Sequence, residues 1–333
     1  MEKPKISVIM PSLNVGDYME QCLSSVLNQS LKDIEVICVD AGSTDQTLDI
    51  INKHQITDKR IKIIHSDKKS YGHQVNLGLK EAKGIYISIV ETDDYIDENM
   101  FKDLYESSKD NTIDIIKANF YYVNDYGDKI ELIKDTAKKG LTPNEVFTLK
   151  EKPLFVEGHP SIWAGIYLRE FLENNDINFL EVPKGGWVDN PFFYETALKA
   201  QKIIYLDKQV YYYRITNPNS STNDFNDNTL PMKRILDIYD ILEENKTQDE
   251  NIILYFYKRL FRYIEIILEN NNNDLYSLDY ETCCYIQRVL KKVDSNLVRC
   301  ELISNFKVLY YKFMSPLLLQ HFEENWIYNC LIK

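Results

Sequence analysis

Ile85-Tyr86-Ile87-Ser88-Ile89-Val90 runs directly into Glu91-Thr92-Asp93-Asp94-Tyr95, and this junction decides the fold. A run that is apolar apart from Ser88 is the pattern of a strand covered on both faces, and a knot of carboxylates follows where that strand must end. Upstream, residues 6–10 form a β-branched run ended by Pro11, residues 34–39 a second run ended by Asp40-Ala41-Gly42-Ser43-Thr44-Asp45, and residues 61–64 a third. Helical patterns lie between them. Asp17 stands at an N-cap position with Glu20 three residues on, ahead of Met19, Leu23, Val26 and Leu27. Ser43 or Thr44 can cap a second helix through His54, and a third places Val75, Leu79 and Ala82 on one face and closes at Gly84. The β-α-β-α-β-α-β order predicts an α/β protein with a mostly parallel sheet flanked by helices, Rossmann-like in its first part.

Beyond residue 113 the regularity loosens. Residues 113–122 read as a strand, 125–128 as a turn, and 145–151 and 167–174 as helical pieces. Gly185-Gly186-Trp187-Val188-Asp189 leads into a helix through Ala200, and residues 203–206 and 209–213 read as two edge strands. The polar stretch 216–228 is the best boundary. Helical periodicity follows over 230–245, 250–270, 280–293 and 296–322, the last interrupted at Pro316. The expected organisation is a catalytic unit over 1–222, with halves 1–120 and 121–222, and a helical region over 223–333.

Composition bounds what such a chain can do. Its 333 residues carry 51 acidic against 39 basic side chains, net charge -12. A generic nucleic-acid partner is thereby excluded, since a phosphate-neutralising face is hard to assemble from that balance. An apolar share of 44% excludes disorder. No apolar run reaches the ~20 residues that span a bilayer, and the N-terminal residues show no signal-peptide pattern, so a cytoplasmic location is expected. Six cysteines without CxxC spacing (Cys22, Cys38, Cys283, Cys284, Cys300, Cys330) read as reduced thiols.

Ligands of open parallel sheets bind outside the carboxyl ends of the strands. There the sequence places Pro11-Ser12-Leu13-Asn14, Asp40, His65-Ser66-Asp67 and Glu91-Thr92-Asp93-Asp94. Converging carboxylates repel one another and lose hydration unless a cation or donors join them, which a hard divalent ion such as Mn²⁺ or Mg²⁺ would do. The other reading is that Asp45, Asp94 and Asp97 cap helices and Glu91 is solvated. Neither GxxxxGK[ST] nor GxGxxG follows any strand, so a nucleotide diphosphate would be bridged by the metal rather than cradled by glycine amides.

Four stretches carry a resemblance: 6–14, 39–45, Asn76-Leu77-Gly78 with Ala82-Lys83-Gly84, and 91–95. In this order they resemble the successive signatures of family 2 glycosyltransferases with the GT-A fold. A second block, 158–167 through Tyr213-Arg214 and Asn217-Pro218-Asn219-Ser220-Ser221, is similar to a bacterial subgroup that builds capsular and other surface polysaccharides. The resemblance implies that Pro11, Ser12 and Asn14 line the nucleotide pocket and that Asp40 accepts from uracil N3–H of a UDP-sugar. It implies a donor-binding role for Asn76 also. Thr92-Asp93-Asp94 occupies the DxD region, with Asp93 as metal ligand, Glu91 as a second ligand or a ribose contact, and Asp94 near the sugar. Ala41 replaces a common Asp, Glu91 is one methylene longer than the usual first acid, and Val75 stands where Arg is frequent.

An inverting transfer needs a base for the acceptor hydroxyl, and the resemblance points to Asp189 at the start of a late helix. A plain N-cap is the alternative for Asp189, and Trp187 beside it suits either sugar stacking or core packing. Arg214 would neutralise the departing diphosphate or form a salt bridge. His73 and His159 are candidates for the pyrophosphate or acceptor, Lys184 is a weaker one, and tyrosines such as Tyr71, Tyr121, Tyr122 and Tyr205 suit carbohydrate contacts or packing. The expected acceptor is a glycan or lipid-linked glycan, the alternative function a non-catalytic nucleotide-sugar-binding subunit. Basic groups at 258–263 and 291–292 allow a peripheral membrane contact or a homodimer through the helical region.

Overall fold

The computed structural model describes residues 3–127, 129–217, 227–300, 303 and 306–315. Its chain divides into two compact units, Met1–Phe155 with His159–Asn223, and Val156–Gly158 with Asp224–Lys333.

The first unit is built on one sheet of ten strands among the described residues. Strands β1 (Ile6–Ser12), β2 (Ile34–Asp40), β3 (Ile61–His65) and β4 (Tyr86–Ile89) alternate with helices α1 (Gly16–Leu27), α2 (Thr47–Thr57) and α3 (Tyr71–Glu81). They pair in parallel in the order β3-β2-β1-β4, with Ser12 beside Asp40 and Asp40 beside His65 at one edge. β1 is buried along its whole length and β2 at every position but one, as their apolar runs require. The short β5 (Tyr95–Ile96) and α4 (Met100–Glu106) lead to β6 (Ile115–Asp125), the exposed β7 (Ile130–Lys134) and β8 (Val146–Phe147). β9 (Gly165–Leu168), α5 (Arg169–Asn174), α6 (Asp189–Lys199) and β10 (Ile203–Arg214) complete it. The order continues β4-β9-β6-β10-β5, with β9 antiparallel to both neighbours and β10 parallel to β6.

Several local expectations change. The two edge strands at 203–213 are one strand, β10, flanked by β6 and β5; register shifts between Leu206 and Gln209 absorb the polar Asp207-Lys208 that broke its pattern. Residues 145–151 hold β8 rather than a helix. Helix α1 begins at Gly16 without a side-chain cap from its own segment; Asp45 Oδ2 and Thr47 Oγ1 reach across to accept from Gly16 N and Val15 N at 2.8 and 2.9 Å. Gly84 does not end α3, which stops at Glu81; a Cβ there would collide with Ser7 N, so glycine lets the chain cross β1 closely.

The second unit holds α7 (Leu230–Glu244), α8 (Glu250–Glu269), α9 (Tyr280–Leu290) and α10 (Lys307–Phe313). The expected helix over 296–322 is a 3₁₀ turn at Leu297–Arg299 followed by α10, and Pro316 and Cys330 lie outside the described residues. Most of the boundary stretch 216–228, including the 218–221 part of the polysaccharide-subgroup resemblance, also lies outside them. The basic cluster in α8 is internally matched: Lys258 pairs with Glu157, Arg262 with Glu265 and Glu269, and the buried Arg259 donates to Val156 O at 2.8 Å. Lys292 pairs with Glu243. Among the described residues no helix is long and apolar enough to cross a membrane.

Candidate active site

The acidic stretch after β4 is held almost entirely by the far end of β10. Tyr211 Oη accepts from Glu91 N at 3.1 Å and donates to Asp94 Oδ2 at 3.0 Å. Arg214 N donates to Asp94 Oδ1 at 2.7 Å, and the Arg214 guanidinium donates to Asp93 O and, at 2.8 Å, to Gln21 Oε1. Asn217 Nδ2 donates to Asp93 Oδ2 at 2.8 Å. The Glu91 side chain turns to the start of α3, where Tyr71 Oη donates to its Oε1 at 2.5 Å.

The expected roles divide accordingly. Asp94 is 1% exposed with both oxygens engaged, so it anchors β10 to the acidic loop. Burial and the Asp93 charge push its carboxyl up, against the bonds from Arg214 N and Tyr211. Arg214, 4% exposed with Tyr18 and Tyr95 rings beside it, fastens the loop through its backbone N and both terminal nitrogens. Glu91 is half-buried, with Oε1 bound by Tyr71, rather than freely solvated. Burial, then Asp93 and Asp189, hold its pKa up to about 8 despite the Tyr71 bond. Asp45 stands one position before the cap of α2, which is Gln46, and accepts from Thr47 N at 3.0 Å.

The strand-end loops are fastened to one another. Asp40 is 0% exposed; its Oδ2 accepts from Gly42 N and Ser43 N at 2.8 and 3.0 Å and its Oδ1 from Ser43 Oγ at 2.5 Å. The carboxylate thereby holds the turn at Gly42, whose φ of 82° no ordinary side chain adopts easily. Asn14 Oδ1 accepts from Thr44 N at 2.8 Å, Thr92 Oγ1 donates to Pro11 O at 2.9 Å, and Ala41 N to Ser12 O at 3.0 Å. Pro11 and Ser12 are buried and Asn14 is exposed. Gln74, which sequence reasoning passed over, bonds Ser12 O and Val39 O at 2.9 and 2.7 Å and so ties β1 to β2. Val75, in place of the frequent Arg, is 0% exposed and packs into the core.

Asp189 opens α6, but not as its cap: Val188 occupies that position, and Asp189 Oδ1 accepts from Asn190 Nδ2 at 3.1 Å. Its charge reaches the acidic stretch. Glu91 and Tyr71 both hold their protons more tightly because of Asp189, in addition to burial. The approach to α6 is shaped by left-handed backbone at Lys184, Gly186 and Trp187, with φ of 60°, 58° and 53°. Upstream, Asn76 bonds the Phe179 backbone at both ends, Nδ2 to O at 2.9 Å and Oδ1 from N at 2.8 Å, and so braces α3 against that segment. A Cβ on Gly72 would strike the Leu180 carbonyl, and Tyr71 N donates to Lys184 O at 2.9 Å. His73 is sandwiched between Asp67 and Glu181, each at 2.8 Å, and His159 Nδ1 accepts from Ser161 N at 2.9 Å, so both serve their loops. Trp187 and Lys184 lie in the turn that delivers Asp189. Among the tyrosines, Tyr205 is buried, while Tyr121 and Tyr122 are half-buried and pack on Tyr212 and Phe120.

Sequence reasoning also missed Tyr211, Asn217 as a partner of Asp93, and Lys117. The last is 0% exposed and donates to Pro160 O, Ser161 O and Ser161 Oγ at 2.7, 2.5 and 3.1 Å.

Among the described residues no three His, Cys, Asp or Glu side chains converge tightly enough to enclose a metal by themselves. The donor set nevertheless suits a divalent ion shared with a phosphate ligand, which needs only one or two protein carboxylates. Asp93 and Glu91 each have one oxygen engaged, and the repulsion that lifts the Glu91 pKa is what a cation would relieve.

The mixed sheet with its helices on both faces is similar to the GT-A fold of a solved glycosyltransferase structure. The structure of Staphylococcus aureus TarS residues 1–349 in complex with UDP-GlcNAc superposes with a TM-score of 0.78, covering 96% of this chain and 89% of that one at 22% identity. The family described as glycosyl transferase family 2 matches residues 7–173, and the chain belongs to that family. An uncharacterized glycosyltransferase, EpsJ of Bacillus subtilis, is 33% identical over 234 residues, 66% of this chain and 63% of that protein. The poly(ribitol-phosphate) beta-glucosyltransferase of Bacillus spizizenii is 32% identical over 215 residues, 63% of this chain but 32% of its own length. The chain thus spans between about a third and two thirds of these two relatives.

Proposed function

We propose that this protein transfers a sugar from a UDP-sugar to a hydroxyl of a growing surface glycan, such as a capsular polysaccharide or its lipid-linked precursor, with inversion at the anomeric carbon. The observation that carries the proposal is the place of Asp189 at the first residue of α6, from which its charge reaches Glu91 and Tyr71. Asp189 accepts the acceptor proton as the hydroxyl oxygen bonds to the anomeric carbon, while the bond from that carbon to UDP breaks and its electron pair leaves with UDP. The fastened loops at Pro11–Asn14 and 40–45 hold the nucleotide, with Asp40 acting through the turn it pins. Asp93, assisted by Glu91, would hold Mn²⁺ or Mg²⁺ against the diphosphate. That ion supplies charge neutralisation of the leaving group. The relatives' names, both glycosyltransferases, support this reading.

The test is UDP release from a panel of UDP-sugars in Mn²⁺, with and without glycan acceptors. Release from at least one donor is expected. UDP binding without turnover of any donor would favour the nucleotide-sugar-binding subunit instead.

A further inference from the structure

We infer that Asn217 is the positioning residue for Asp93, setting the orientation in which that carboxylate meets a cation. The inference rests on the proposal that Asp93 takes a divalent ion. It goes beyond it by assigning work to a residue that follows β10, far along the chain from the acidic junction.

The Asp93 backbone is already fixed, because Arg214 donates to its carbonyl oxygen and its neighbour Asp94 is bound on both oxygens. What remains free is rotation about the two side-chain torsions of Asp93, the last of which is broad and nearly two-fold for aspartate. Asn217, 3% exposed, removes that freedom by donating to Oδ2 at 2.8 Å. The other oxygen is thereby directed. Partner chemistry matters as much as distance. Arg214 is the cation beside Asp93, but its guanidinium is spent on the main-chain carbonyl and on Gln21, with Nε 3.9 Å from Asp125 Oδ2. A neutral amide therefore orients the Asp93 carboxylate while leaving its negative charge for an incoming ion. Hydrogen bonds of this kind to a ligating carboxylate govern metal affinity as well as geometry.

The experiment measures Mn²⁺ affinity in the presence of UDP, from the free Mn²⁺ paramagnetic resonance signal, alongside UDP affinity in EDTA. It compares the full chain with Asn217→Ala and Asn217→Leu. Asn217→Ala should weaken Mn²⁺ binding about 10–100-fold and leave UDP affinity in EDTA within about twofold. Asn217→Leu keeps a similar side-chain volume and removes the donor without adding charge, so it should lose as much and decides the matter if the alanine variant does not fold. A structural role alone would weaken both affinities together. Unchanged Mn²⁺ affinity in the folded variants, beside clear Mn²⁺-dependent UDP binding by the parent, overturns the inference alone. A parent chain with no Mn²⁺-dependent UDP binding overturns the cation reading and the inference with it.

Discussion

Tyr71, the first residue of α3, donates its phenolic proton to Glu91 Oε1 at 2.5 Å, joining the helix after β3 to the loop after β4. The bond lies where Asp93 and Asp189 also act on Glu91, and together with burial they raise that carboxyl from its ordinary 4.5 to about 8. Between those values the folded chain keeps a proton that the unfolded chain releases. Stability contributed by protonated Glu91 is therefore complete below about pH 4.5 and is lost as pH rises through about 8, by up to about 1.4 kcal/mol per pH unit. Glu91→Gln should remove this loss. The check is urea unfolding in EDTA from pH 5 to 8.5; parallel pH curves for parent and variant would contradict the burial of this carboxyl.

Asp40→Asn exchanges a carboxylate that accepts three bonds for an amide with one acceptor oxygen. The nucleotide-free protein should lose about 1–2 kcal/mol, because a buried donor is left facing another donor. An unaltered nucleotide-free melt, with UDP binding alone weakened, would return Asp40 to the base.

Gly72→Ala places a methyl group against the Leu180 carbonyl and should loosen the segment before α6. Faster amide exchange over 179–188, with β1 and β2 unchanged, is the expected signature. Protection equal to the parent's would show that this approach is not close.

Much of the parallel half was legible because its strands are covered on both faces and read as continuous apolar runs. β10 was not, since Asp207-Lys208 falls at a register shift inside it and divides the pattern in two. The acidic junction was legible for the same reason as β4: carboxylates beginning where an apolar run stops. Its fasteners were hidden. Tyr211 is one of 24 tyrosines, and nothing local marks which one will meet Asp94. The backbone partners of Asp40 and Asn76 were hidden too, because a single sequence shows which side chains are polar and not which backbone groups need them.

Arg214→Met retains the side chain's bulk and leaves Asp93 O and Gln21 without their donor. A loss of about 2–4 kcal/mol is expected in chemical unfolding, as for breaking a buried charged hydrogen-bond network. A variant as stable as the parent, with only turnover reduced, would place Arg214 on the diphosphate instead.

The central claim is that Asp189 takes the acceptor proton, and single-turnover sugar transfer by Asp189→Asn measures it most directly. With the donor identified in the UDP-sugar panel, transfer should slow by about 100–10,000-fold while UDP affinity in Mn²⁺ stays within about twofold of the parent's. Transfer at the parent's rate, with the same UDP affinity, would contradict the account.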